Sequence, residues 1–329
     1  MTGRVRPPVA AVDIGSLSTG LLIVDGDVRL RRSVDTHMGG AALGTNGVLS
    51  PQAISSNAID RLGEALSGFA ADIPSGAEVR AVATAGARSA TNTEVLTDLV
   101  GRTLGVAPTI VDGATEARLA FHGAVSDSAI LPADPGEWVV TIDLGGASTE
   151  IAIGTSGSGR SGPAASVSLP IGGSLLGGAY FESDPPLAEE LSAALSIVEL
   201  HITDAVREMP QLRQALTTAT VIGLGGISTL AAVEIGLNVL DPENGTGDGP
   251  LHGVELTHDA VEDVFRTIAT ENRADRAHNP GLPLSRVDDV VGGCALLVEA
   301  MRQLAIDSLI VSQRGLLDGV AGEMLQAGS

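Results

Sequence analysis

Two segments, VAAVDIGSLSTGLLIV (residues 9–24) and VVTIDLGGASTEIAIG (139–154), can be laid over each other at a constant offset, which constrains the fold more than any other feature of the chain. Asp13 aligns with Asp143, Gly15 with Gly145, Ser18 with Ser148 and Thr19 with Thr149. Each segment reads as apolar strand, tight polar turn, apolar strand, and each opens a fresh run of elements. An internal duplication is the simplest account, with two similar domains that each offer a glycine-rich turn. One copy of Asp-apolar-Gly-small would be an ordinary turn; two copies in register predict a paired site.

Between and after these segments the hydrophobic pattern alternates. Strands are expected at Val9–Val12, Gly20–Asp25, Glu78–Ala83 and Thr109–Val111, and helices at Ser50–Ala71, Thr93–Leu104 and Thr115–Val125. Ser126–Glu137, with two prolines and several acids, reads as a linker. Beyond it come strands at Trp138–Ile142 and Glu150–Ile153, an exposed hairpin loop at GTSGSGRSG (154–162), and helices at Ala188–Met209, Val254–Thr270 and Val287–Leu304. A strand at Ser308–Val311 and a last helix close the chain. This is an α/β pattern. At 329 residues the chain exceeds one ordinary domain. A division into 1–126 and 127–311 is expected, with a C-terminal helix at about 312–329 packing back on the first domain.

Composition narrows the partners. The formal net charge is -21, and all 19 basic residues are arginine. Without lysine there is no Walker A site, no kinase strand lysine and no Schiff base. An acidic, aromatic-poor surface argues against nucleic acid, so an anionic ligand has to be met by local arginines and backbone amides. No apolar run approaches the roughly 20 residues of a membrane span, and VAAV after Pro8 is too short for a secretory core. The single Cys294, in an apolar helical pattern, is expected to be an inert buried thiol. A cytoplasmic protein follows. The six histidines show no zinc spacing, and no G-x-S-x-G elbow occurs.

The chemistry of the paired turn follows from its residue types. At Gly15, Gly145 and Gly146 no side chain keeps the backbone amides from an anion, and Ser16, Ser18, Ser148 and Thr149 add hydroxyls. The strand-end carboxylates of Asp13 and Asp143 lie where they could hold Mg²⁺ beside a phosphate. A third element, VIGLGGISTLAAVE (221–234), runs strand, turn at Gly225 and Gly226, then helix; it could present a helix N-terminus to the same anion. The densest basic stretch, with Arg273, Arg276 and Arg286, is either a solvated loop or a phosphate-facing rim.

In order along the chain, DIGSLSTGLLIVD, ATAGARSATN, VDGATEARLAFHGA, TIDLGGASTEIAIG, GLGGISTLAAV, SRVDDVVGGCALLVEAM and VSQRGLLDGV resemble the successive motifs of the exopolyphosphatase/guanosine pentaphosphate phosphatase (Ppx/GppA) family, from about Val9 to Val320. The resemblance implies two ribonuclease-H-like domains of the actin-like ATPase superfamily with an interdomain phosphate-binding cleft. It implies Mg²⁺-dependent removal of the terminal phosphoryl group from polyphosphate or a guanosine penta- or tetraphosphate. The length is similar to that of members without extra C-terminal helical domains. Glu116 falls where the family has the catalytic glutamate that positions and deprotonates water. Asp143 and Glu150 match acids implicated in metal binding and catalysis, and Arg88 matches an arginine that looks toward phosphate. Such a division suits phosphoryl transfer, which needs a positioned water and charge neutralisation.

The departures are specific. Leu17 stands where the family usually shows Asn, Gly20 and Leu175 where it shows Arg, and Ala147 where it shows Gly. Fewer arginines imply a weaker grip on a long polyanion. Two alternatives therefore accompany the hydrolase reading: a weakly active or non-catalytic paralogue that binds alarmone or polyphosphate, and an actin-like kinase, against which Glu116 in its motif argues. Neither nucleic acid nor membrane is expected as a partner, and a homodimer stays open.

Overall fold

The computed structural model describes residues 6–44, 48–158, 162–237 and 248–327. The first half runs β1 (Val9–Ile14), β2 (Ser18–Asp25), β3 (Val28–Asp35), β4 (Ala41–Leu43), β5 (Leu49–Pro51), α1 (Ser56–Asp72), β6 (Glu78–Ala83), α2 (Ala85–Ser89), α3 (Thr93–Leu104), β7 (Thr109–Ile110) and α4 (Gly113–Ala124). The second runs β8 (Trp138–Leu144), β9 (Thr149–Thr155), β10 (Ala165–Leu169), α5 (Gly173–Tyr180), α6 (Ala188–Glu208), α7 (Leu212–Leu216), β11 (Thr220–Gly225), α8 (Ile227–Glu234), β12 (Glu255–Thr257), α9 (His258–Thr270), α10 (Arg273–Arg276), α11 (Val290–Leu304), β13 (Ser308–Val311) and α12 (Leu316–Ala327).

The strand orders β3-β2-β1-β6-β7 and β10-β9-β8-β11-β13-β12 are the same arrangement twice, with β12 added at one edge. In each sheet a three-stranded antiparallel meander meets parallel strands at its first member. This is the doubled ribonuclease-H-like topology of the actin-like fold. The central strands β1 and β8 are buried on both faces, which is why both read as continuous apolar runs rather than alternating ones.

Several elements differ from the expectations for local reasons. Residues 49–51 pair with β4, so α1 begins at Ser56, where the Ser55 side chain accepts the Ala58 amide. Glu255–Thr257 pairs with β13, and Thr257 caps α9 in the same way. Strand β3 carries no apolar alternation in VRLRRSVD because it is an edge strand, where charge is tolerated. The tip of the 154–162 loop, at 159–161, lies outside the described residues.

Helix α12 returns to the first sheet, where Leu316, Val320, Ala321 and Met324 share a core with Val9, Ala11, Leu22 and Val24. Helix α4 packs Ala120, Phe121 and Ala124 against Val139, Ala152 and Ile222 of the second sheet. The two helices cross in close contact: a Cβ on Gly319 would lie 2.0 Å from the Leu119 carbonyl oxygen. Asp318, buried at the start of α12, takes guanidinium bonds from Arg29 and Arg31 of β3. Cys294 is fully buried in α11, and burial pushes its thiol up to about 12, as an inert thiol requires. Among the described residues no helix is long and apolar enough to cross a membrane.

Candidate active site

Both hairpin turns are closed by the same hydrogen bond, Gly15 N–H to the Ser18 carbonyl at 2.9 Å and Gly145 N–H to the Ser148 carbonyl at 3.0 Å. The duplication therefore extends to the turn's backbone. Across the hairpins Asp13 sits opposite Gly20, and Asp143 opposite Glu150. The first turn thus brings one carboxylate and the second two. A fourth comes from the first turn of α4, where Asp112 caps the helix by accepting the Thr115 amide at 2.8 Å and Glu116 follows.

These four acids meet in an interdomain cleft of about 530 Å³, bordered also by Ser16, Ser18, Gly146, Ser148, Gly225 and Gly226. Glu116 and Glu150 are buried, while Asp13 and Asp143 are half-buried. Arg88 Nη1 donates to Glu116 Oε2 at 3.2 Å and to the Val111 carbonyl at 2.7 Å, which fixes the glutamate's orientation. Ser168 Oγ donates to Glu150 Oε1 at 2.7 Å.

Gathering four carboxylates out of water raises the cost of ionising each one. Burial, then the charges of Glu116 and Asp143, push the Asp13 carboxyl well above its usual range. Burial raises Asp143 to about 6. Burial also raises Glu116 to about 7, against the opposing charge and hydrogen bond of Arg88. Glu150 is raised by burial and by Glu116 and Asp143, against the hydroxyls of Ser168 and Ser148. The buried Oδ1 of Asp13 has no hydrogen-bond partner among the described residues. A set of oxygen donors that repel one another, one of them orphaned, fits a hard divalent cation such as Mg²⁺.

The structure redirects several expected roles. Thr149 is fully buried and its Oγ1 donates to the Ile171 carbonyl at 2.7 Å, so this hydroxyl holds the fold and does not face phosphate. Arg88 stands behind Glu116 and borders a second cavity rather than the cleft. The amides of Gly15 and Gly145 close their own turns, and that of Gly226 donates to the Leu144 carbonyl at 2.8 Å. The amides left for an anion are those of Ser16, Leu17, Gly146 and Ala147, which make no backbone bond among the described residues. Gly225 serves by having no side chain: its φ is +62°, and a Cβ there would lie 2.4 Å from Asp143 Oδ1.

The departures from the family pattern are filled by apolar contacts. A Cβ on Gly20 would lie 2.9 Å from Leu317 Cδ1, so α12 occupies the space a longer side chain would need. Leu175 is buried in the second core. The cleft's cations are Arg286, the member of the basic stretch that faces it, and Arg31, which stands in no recognisable motif. Arg286 joins the two halves, forking onto Asp35 of β3 at 2.8 and 3.1 Å and donating to Thr229 Oγ1 at 2.8 Å. Arg273 and Arg276 turn away to Asp288 and Asp184.

Asp127, Asp248 and His252 also bring donor atoms within 4.8 Å of one another. There His252 Nδ1 accepts the Gln313 amide at 3.1 Å, which leaves Nε2 to donate to Asp127 at 2.6 Å. Arg314 forks onto Asp248. With both ring nitrogens engaged, the trio is an ion-pair network rather than a metal site.

The fold and the acid-floored cleft define an actin-like two-domain protein. The model of the Ppx/GppA phosphatase family matches residues 11–327, and the chain belongs to that family. It is 32% identical to exopolyphosphatase 2 of Mycobacterium tuberculosis, over 95% of this chain and 97% of that protein. It is 27% identical to the guanosine-5'-triphosphate,3'-diphosphate pyrophosphatase of Vibrio atlanticus, covering 99% of this chain but 61% of that longer one. Among solved structures, an exopolyphosphatase-like protein superposes with a TM-score of 0.82 at 27% identity, over 98% of this chain and 99% of that one. The Aquifex aeolicus Ppx/GppA enzyme gives 0.70 at 26%, over 95% and 98%.

Proposed function

We propose that this chain is a Mg²⁺-dependent hydrolase that removes the terminal phosphoryl group of inorganic polyphosphate or guanosine pentaphosphate. The observation that carries the reading is the meeting of Asp13, Glu116, Asp143 and Glu150 on one cleft floor, with Glu116 raised to about 7 by burial. Residues 1–126 and 127–311 form the two arms. Asp13, Asp143 and Glu150 are the cation's ligands; the bound ion would neutralise phosphate charge. Glu116, oriented by Arg88, takes a proton from water as the new O–P bond forms and the bridging P–O bond breaks toward the chain. The hydroxyls of Ser16, Ser18 and Ser148 and the free turn amides hold the terminal phosphates, and Arg31 and Arg286 meet the chain further along.

A second reading, an alarmone- or polyphosphate-binding protein with little turnover, is favoured by Leu317 against Gly20 and by the buried Leu175, which leave two fewer arginines for the anion. Orthophosphate release from long polyphosphate, short polyphosphate and guanosine pentaphosphate, with Mg²⁺ or with EDTA, separates the two. The hydrolase reading expects Mg²⁺-dependent release from at least one. Absence of release from all three, with calorimetric binding intact, overturns it in favour of the second.

A further inference from the structure

The acids on the cleft floor have a second side. A cavity of about 320 Å³ lies behind them, bordered by Arg88, Ser89, Gly113, Ser148 and Ser168. Ala147 and Ser148 border both spaces. Ser168, on the second cavity, donates to Glu150 on the first, and Arg88, on the second, donates to Glu116 on the first. The partition is therefore one layer of side chains thick.

Arg88 does not spend all its donors on that partition. Nη1 makes both of its bonds, to Val111 and Glu116, and no described residue accepts from Nε or Nη2. The side chain is 31% exposed. A guanidinium edge with two spare N–H groups, next to the Ser89 side chain, matches a tetrahedral oxyanion, while the Ser148 and Ser168 hydroxyls are engaged with Glu150.

The direction of the reaction points the same way. In an in-line displacement the phosphoryl group moves away from the leaving chain and toward the attacking water. The water's side is the Glu116 side, and Glu116 stands in the partition. On the cleft side the shortened chain still fills the route by which the substrate entered.

We propose that the second cavity is an orthophosphate site and the product's exit: the released dianion passes to the free edge of Arg88 and leaves there while the shortened chain remains in the cleft. The proposal rests on the hydrolytic reading above. Swinging Arg88 from Glu116 onto the product exchanges one carboxylate partner for another oxyanion and opens the partition at the same time.

Product inhibition tests it. With polyphosphate varied and orthophosphate as inhibitor, a separate product site gives mixed inhibition, because orthophosphate binds while the cleft is occupied. Ser89→Glu places a carboxylate on the second cavity and is expected to weaken the uncompetitive component about tenfold, with KM for polyphosphate unchanged. Purely competitive inhibition, or mixed inhibition that Ser89→Glu leaves unaltered, overturns the exit while leaving the hydrolase reading intact. If no substrate releases orthophosphate at all, the hydrolase reading fails instead. Should Ser89→Glu melt well below wild type, ³¹P line broadening of orthophosphate on the wild-type protein decides. Broadening that persists when Mg²⁺ and methylenediphosphonate saturate the cleft supports the second site, and its complete loss refutes it.

Discussion

Replacing Glu116 by glutamine should make the metal-free protein more stable and the enzyme inactive. Burial raises this carboxyl from 4.5 to about 7, and at about 1.36 kcal/mol per pH unit that displacement corresponds to roughly 3 kcal/mol spent on keeping it ionised in the folded chain. Between those two values the folded chain holds a proton that the unfolded chain has released, so stability falls as pH rises through this window. Glutamine has nearly the same volume and never ionises. At pH 8 the variant should gain about 2–3 kcal/mol, the remainder going to its poorer bond with Arg88. For a protein of 329 residues that is a rise of roughly 3–4 °C in melting temperature. At pH 5, where the folded wild type is already protonated and the unfolded chain only partly ionised, the gain should shrink to about 1 kcal/mol or less. Phosphate release with Mg²⁺ should fall by about 10²–10⁴, the usual worth of a positioned general base. Calorimetric melts in EDTA at both pH values, beside a phosphate-release assay, give the readout. A lower melting temperature at pH 8, or an equal gain at pH 5, refutes the electrostatic account; unchanged turnover refutes the role of base.

The other expectations concern the cation, the chain and the turn. Mg²⁺ competes with protons for these acids, so the rise in melting temperature that it produces should grow from pH 5.5 to pH 8 as Asp143 and Glu116, raised to about 6 and about 7, lose their protons; an Mg²⁺ effect independent of pH would contradict this. Arg31→Gln should raise KM for polyphosphate about tenfold with little change in kcat, and should cost only about 1 kcal/mol of stability, because Arg29 and the Gly315 amide still hold Asp318; steady-state kinetics and a denaturant titration measure both. Gly225→Ala, at a φ of +62° and with its Cβ directed at Asp143 Oδ1, should cost more than about 1 kcal/mol and weaken Mg²⁺ binding, which calorimetry on the folded variant would detect.

The duplicated turn was legible because its chemistry lies within eight residues and its register survives by direct overlay. The structure repeats it down to one hydrogen bond, from Gly15 to Ser18 and from Gly145 to Ser148. Glu116 was legible through its motif, although nothing local says that α4 brings it to Asp13 and Asp143. That meeting depends on α4 packing against the second sheet and crossing α12 at Gly319. Strand β3 was invisible because an edge strand need not alternate, and with it went Arg31, which borders the cleft, and Asp35, which holds Arg286. Thr149 was misjudged because a hydroxyl in a polar turn has two possible directions, and β9 turns this one toward Ile171. Arg88 shows the same limit from the other side, since its residue type marks an anion partner but only the fold tells which face of Glu116 it stands on.

The most direct measurement of the central claim is the isotopic course of the reaction in H₂¹⁸O with polyphosphate and Mg²⁺. If Glu116 delivers water to the terminal phosphorus, each orthophosphate released should carry one ¹⁸O and the shortened chain none, with no release in EDTA. Label in the shortened chain, or equal release without divalent cation, would contradict the account.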